Sequence, residues 1–119
     1  MSAALDKQSD WNYRITASRE VVVKAKNDAV RKVSVVDVLT NLPLPLEAPA
    51  DFPMETLELE KAYYATFRVY TLKRVEGVAS DFVEFFTAVD VDQSVEDFIK
   101  AYWLYPNYIR FGLVEAEAL

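Results

Sequence analysis

The chain has 119 residues, enough for one domain that buries roughly two-thirds of its unfolded surface. Hydrophobic residues make up 52% and charged residues 27%, which excludes a disordered chain, and Cys and His are both absent. Their absence removes disulfides, zinc–thiolate sites, and Ser–His and Cys–His nucleophile pairs, and it fits a reducing compartment.

The net charge of −6 is unevenly spread. The first 50 residues hold seven basic and six acidic side chains, and the remaining 69 hold six and thirteen. Between Glu76 and Asp97 there are seven acids and no base. Such asymmetry can steer association, and it argues against a phosphate backbone as the ligand. No apolar run approaches the ~20 residues of a membrane helix, so no membrane contact is expected.

In chain order, residues 1–10 are small and polar, without periodicity, and read as an N-terminal arm with no secretory signal. Trp11 to Ser18 and Glu20 to Lys26 look extended, because Val21, Val22 and Val23 are β-branched and poor in a helix interior. Asn27-Asp28 is a turn pair, so Ala29 to Val33 is expected to pair back as a short strand. Val35, Val38, Leu39 and Leu42 have helical spacing behind Ser34 and predict a short helix ending before Pro43. The competing reading continues the strand to Leu39. Residues 42–53 hold four of the five prolines and predict an extended, stiff connector, with its alternating leucines packed down on one side.

A helical turn near residues 54–61 and a strand from about 62 to 75 follow. Tyr, Thr, Val and Phe enrich the latter, although Leu59, Tyr63, Phe67 and Tyr70 also fit one long helix. Glu76-Gly77 offers a turn into a strand beginning near Asp81, in which Phe85, Thr87, Val89 and Val91 alternate. Ser94 is a good N-cap for a helix with Val95, Phe98, Ile99 and Tyr102 on one face and Pro106 as its stop. A strand carrying Ile109, Phe111 and Leu113 closes the pattern. Ser34-Val-Val-Asp37 echoes Ser94-Val-Glu-Asp97, a match of four residues that is too short to establish a duplication.

The fold expected is α+β in a single domain, 1–119. It has an N-terminal β-hairpin with a short helix, a Pro-rich connector, and then β-β-α-β with the helix packed on a small, mainly antiparallel sheet.

Sites are bounded mostly by exclusion. Only Gly77 and Gly112 are glycines, too few for a phosphate cradle. Asp90-Val-Asp-Gln-Ser94 imitates the start of a calcium loop, but Val95 stands where its Gly belongs and Ala101 where its bidentate Glu belongs. Nothing marks Glu58 and Glu60 from surface carboxylates. We therefore expect no catalytic residue, no cofactor, no metal and no small-molecule substrate. One aromatic cluster stands out. Trp103, Tyr105, Tyr108 and Arg110 are the candidate partner-binding residues, because Trp, Tyr and Arg are enriched at interface hot spots. Trp103 sits at the edge of the helical stripe and is itself expected to pack into the core with its indole N–H hydrogen-bonded.

The function expected is a non-enzymatic structural or assembly subunit. It would act through protein contacts in a homo-oligomer or multi-protein complex, in the cytoplasm or in a virion. The alternative is a small acidic inhibitor that blocks a basic site on a partner.

Overall fold

A computed structural model describes residues 11–72 and 95–119, with the side chains of residues 13 and 14 outside that description. The expected arm at 1–10, the turn at Gly77, the strand beginning near Asp81, the calcium-like loop and the Ser94 cap all lie outside the described residues.

The described strands are β1 (Trp11–Asn27), β2 (Lys32–Asp37), β3 (Pro43–Glu47), β4 (Ala62–Leu72) and β5 (Ile109–Ala118). One α-helix, α1 (Val95–Leu104), and a 3₁₀ turn at Met54–Thr56 accompany them. The fold is broadly α+β but predominantly β. The strands close into a barrel in the order β1-β2-β3-β5-β4, antiparallel at every pairing except β3 with β5.

β1 makes closure possible. Its 17 residues pair with β4 from Trp11 to Val22 and with β2 from Val21 to Asn27. The register shifts between Tyr13 and Ile15 against β4, and between Val23 and Ala25 against β2. Bulges of this kind bend and twist a strand, as one that serves two neighbours at a barrel corner must be.

Alternation then fills the interior. Val21 and Val23, Val33 and Val35, Leu44 and Leu46, Tyr63, Ala65, Phe67 and Val69, and Ile109, Phe111 and Leu113 are all buried together. Two barrel rings, Phe67 and Phe111, meet edge to face at 5.8 Å. Burying each of these side chains stabilises the fold by about 1.5–3 kcal/mol before chain entropy is set against it.

Three expectations need correction. The short helix at Val35–Leu42 is absent: Val35 and Asp37 face inward from β2, and the chain turns after Asp37. Asp37 causes that turn. Its Oδ1 accepts from the Leu39 N–H at 2.9 Å and its Oδ2 from the Thr40 hydroxyl at 3.0 Å. The competing strand reading was nearer, and β2 stops at Asp37 rather than Leu39.

Second, the start of the connector is itself a strand. Leu44 and Leu46 are buried in the barrel, as their alternation implied, and Pro43 and Pro45 pair opposite Val36 and Ser34. Proline cannot donate to a ladder, so it suits a strand with one poorly paired side. β3 has such a side, since its pairing with β5 is a single bridge, Glu47 to Gly112.

Third, residues 29–31 remain in the turn before β2. The Ala29 N–H donates to Asn27 Oδ1 at 3.1 Å, and Arg31 has φ 50°. The echo of Ser34–Asp37 at 94–97 also dissolves, because Val35 to Asp37 is strand while Val95 to Asp97 opens a helix. The turn at Met54–Thr56 and the strand from Ala62 match expectation, and the expected continuation past Leu72 lies outside the described residues.

Two segments close the barrel's ends. After β3, residues 48–57 fold under the core with Ala48, Met54 and Leu57 buried. Arg31 holds them by donating from Nε to the Pro49 carbonyl at 2.8 Å and from Nη2 to the Phe52 carbonyl. Lys26 donates to the Met54 and Leu57 carbonyls. At the other end α1 buries Phe98, Ile99 and Ala101. It is tied to the barrel through Arg19, whose Nη2 lies 2.8 Å from Asp37 Oδ2 and 3.3 Å from Glu96 Oε2.

Candidate functional site

The end of α1 and the start of β5 gather the aromatic cluster. The helix continues its hydrogen bonding through the Tyr105 N–H to the Ala101 carbonyl at 2.8 Å, and Pro106 then stops it. The Tyr108 N–H donates to the Tyr105 carbonyl at 3.0 Å, which turns the chain sharply into β5. That turn brings the Tyr105 and Tyr108 rings to 6.4 Å.

Trp103 is not a core residue, and its expected place under β5 is corrected here. It is 52% exposed, and Leu104 beside it is 69% exposed. The reason lies in Ala101. The buried face is set by Phe98, Ile99 and Ala101 together, so its centre shifts away from Trp103. At 100° per residue, Trp103 then stands about 135° from that centre. Tyr102 takes the inward role, packing edge to face on Phe111 at 5.4 Å and on Trp103 at 5.3 Å.

Arg110 belongs to a different part of the surface. It projects from the outer face of β5, and its Nε lies 3.4 Å from Glu47 Oε2. Its guanidinium sits 4.7 Å from the centre of the Trp11 ring, within cation–π range. The half-paired β3–β5 seam opens beside it as a cleft of about 320 Å³, lined by Pro45, Glu47, Tyr102, Asn107 and Arg110 among others. Burial pushes the Tyr102 hydroxyl above the ordinary tyrosine range. The Arg110 charge opposes that rise, and the Glu47 charge adds to it. Tyr102 is therefore a neutral phenol at physiological pH, able to donate into the cleft mouth.

Of the four residues singled out from sequence, Trp103 lies in the last turn of α1, and Tyr105 and Tyr108 lie on the turn from α1 into β5. Arg110 faces the seam, engaged by Glu47 and Trp11. Leu104, Trp11 and Glu47 were missed. Leu104 was legible, since it lies off the amphipathic stripe at the helix end, but Trp11 and Glu47 come into place only by sheet closure.

Chemically the region offers apolar contact and a paired cation, without a nucleophile and base in register. Glu58 and Glu60 face Lys61 at 3.7 Å and Lys24 at 3.1 Å, as surface ion pairs. Among the described residues no group of three Asp or Glu could hold a metal ion, and no helix is long and apolar enough to cross a membrane. Compared with family models, curated proteins and solved structures, the chain finds no match.

Proposed function

We propose that this chain is a non-enzymatic structural or assembly subunit, working in the cytoplasm or in a virion through protein–protein contacts. The contacts centre on the end of α1. One observation carries the reading: Trp103 and Leu104 project side by side from a helix whose other face buries Phe98, Ile99 and Ala101 in the core. An exposed Trp flanked by two tyrosines is the composition of an interface centre rather than of a solvated helix face, and Leu104 adds apolar area beside it. The partner is a second copy or another subunit of the same complex.

The acidic-inhibitor alternative draws less support. Of the run from Glu76 to Asp97, only Glu96 and Asp97 lie among the described residues with the helix. Glu96 is turned onto Arg19 of the same chain rather than outward to a basic partner. Small five-stranded barrels also serve as oligonucleotide binders, but a fold assigns no function, and a net charge of −6 opposes phosphate contact.

The test is light scattering over a concentration series, with a Trp103→Ser, Leu104→Ser variant beside the wild type. The wild type is expected to form a species larger than 13.6 kDa, alone or with its co-purifying subunit. The variant is expected to melt like wild type and run as the monomer. A wild type that stays monomeric at high concentration and recovers no complex from its native source overturns the reading.

A further inference from the structure

β5 outruns its parallel partner. It pairs with β4 from Ile109 to Ala118 with one bulge, but its other edge meets β3 only at Gly112, and the strand continues to Ala118. Among the described residues no strand pairs with that edge beyond Gly112. An unpaired edge is a row of backbone donors and acceptors ready for another strand.

The edge here is also sheltered. Two adjoining depressions of about 280 and 310 Å³ run beside it, and they share Pro49, Asp51 and Val114. Phe52 and Pro53 form the far wall of the second. The bulge between Thr66 and Phe67 carries the ladder from Glu115 to Leu113 and leaves Val114 unpaired with β4 and exposed. The lining carries one cation, Arg68, at the Gly112 end of the first depression, and none in the second. Along the rest of the edge the charge is acidic: Asp51 and Glu115 line the depressions, Glu117 follows two residues along β5, all three are exposed, and among the described residues no cation pairs with them.

We infer that this edge groove receives an extended, basic peptide segment of a protein partner as an added strand beside β5. Backbone hydrogen bonds along residues 113–118 supply affinity, Val114, Pro49 and Phe52 receive an apolar side chain, and the three carboxylates select Lys or Arg at alternating positions. The site is separate from the end of α1 and does not depend on that surface.

The experiment is fluorescence anisotropy with a labelled peptide of alternating Lys and Val. Its length is roughly six residues, matching β5 beyond Gly112 at about 3.3 Å per residue. Saturable binding that weakens as salt rises is expected, and it should vanish when alternate backbone nitrogens of the peptide are methylated. Replacing two exposed carboxylates by cations removes two ion pairs and adds like-charge repulsion, so Glu115→Lys with Glu117→Lys should weaken binding by roughly tenfold or more. Circular dichroism should show the double variant folded, since both side chains are exposed. Trp103→Ser should leave peptide binding unchanged, which separates this proposal from the assembly reading. Equal binding of the methylated peptide, equal binding of a Glu–Val peptide, displacement by oligothymidylate, or no saturable binding would each overturn it. The last outcome would make the carboxylates guards that keep other strands off the edge.

Discussion

The barrel's two ends are closed by the same device used to different purposes. At one end residues 48–57 lie under the core, and the cations that hold them, Lys26 and Arg31, donate to backbone carbonyls. The apolar residues of that segment's fold, Met54 and Leu57, are buried. At the other end α1 is held by a cation bridging two carboxylates, and it leaves Trp103 and Leu104 in solvent. The first closure has spent its largest aliphatic side chains on the fold and leaves Pro49, Phe52 and Pro53 partly or fully in solvent. The second has a surplus, and surplus apolar surface at a well-anchored helix is what an interface needs.

The comparison breaks most readily at Asp37. Its side chain is fully buried, pairs with Arg19, and accepts from the Leu39 N–H and the Thr40 hydroxyl. Removing one partner of a buried pair leaves the other uncompensated, so Asp37→Ala should cost about 3–5 kcal/mol in urea unfolding. Arg19 would also lose its orientation toward Glu96, and α1 should show faster amide exchange than the barrel strands. Uniform exchange across helix and barrel would show that the triad does not anchor the helix.

The other end should yield less. Arg31→Ala removes two charge-assisted hydrogen bonds to the Pro49 and Phe52 carbonyls, worth about 1.5–3 kcal/mol in unfolding measurements. Arg31 also holds φ at 50°, which glycine adopts without strain. Arg31→Gly should therefore lose less stability than Arg31→Ala. Equal losses would mean that the turn strain is negligible beside the clasp.

Smaller again is the expected stability effect of Trp103→Ser. An exposed substitution away from caps and networks changes stability by about 0.5 kcal/mol or less. Its assembly effect should be large by contrast. A loss near the 3–5 kcal/mol of a buried Trp truncation would return Trp103 to the core and erase the difference between the two ends.

The difference between the ends was only partly legible in sequence. Strand positions were readable wherever β-branched and aromatic residues alternate, as at Val21–Val23, Tyr63–Val69 and Ile109–Leu113. The existence and stop of α1 followed from Phe98, Ile99 and Pro106, while the centre of its buried face was misplaced because Ala101 was not counted. Val35–Leu42 misled because the spacing of Val35, Val38, Leu39 and Leu42 suits a helix, while Asp37 ends the strand by a local hydrogen bond to Leu39 that periodicity does not register. Pro43 and Pro45 argued for a connector, since nothing local says that β3 will have a poorly paired side. The Arg19–Glu96 contact joins residues 77 apart, and the Arg110–Trp11 stack needs the barrel closed. Candidate-site residues close in sequence, Trp103, Tyr105 and Tyr108, were found together; those assembled by topology were not.

The smallest effect concerns Tyr102, which links the helix end to the β3–β5 seam. Burial disfavours its phenolate more than Arg110 favours it, so its pKa in the folded chain lies above the ordinary 10.0. The sign follows from linkage. Below pH 10 the phenol is neutral in both folded and unfolded chains, and its ionisation contributes nothing to the pH dependence. Above pH 10 the unfolded chain releases the proton first, so stability falls as pH rises from 10 through the folded value, then levels off. Tyr102→Phe removes this term. The variant should match wild type in urea unfolding at neutral pH, apart from any hydrogen bond its hydroxyl makes. Above pH 10 it should lose stability less steeply. Parallel curves for the two proteins across that window would place the Tyr102 hydroxyl in full contact with solvent and detach it from the cleft beside Arg110.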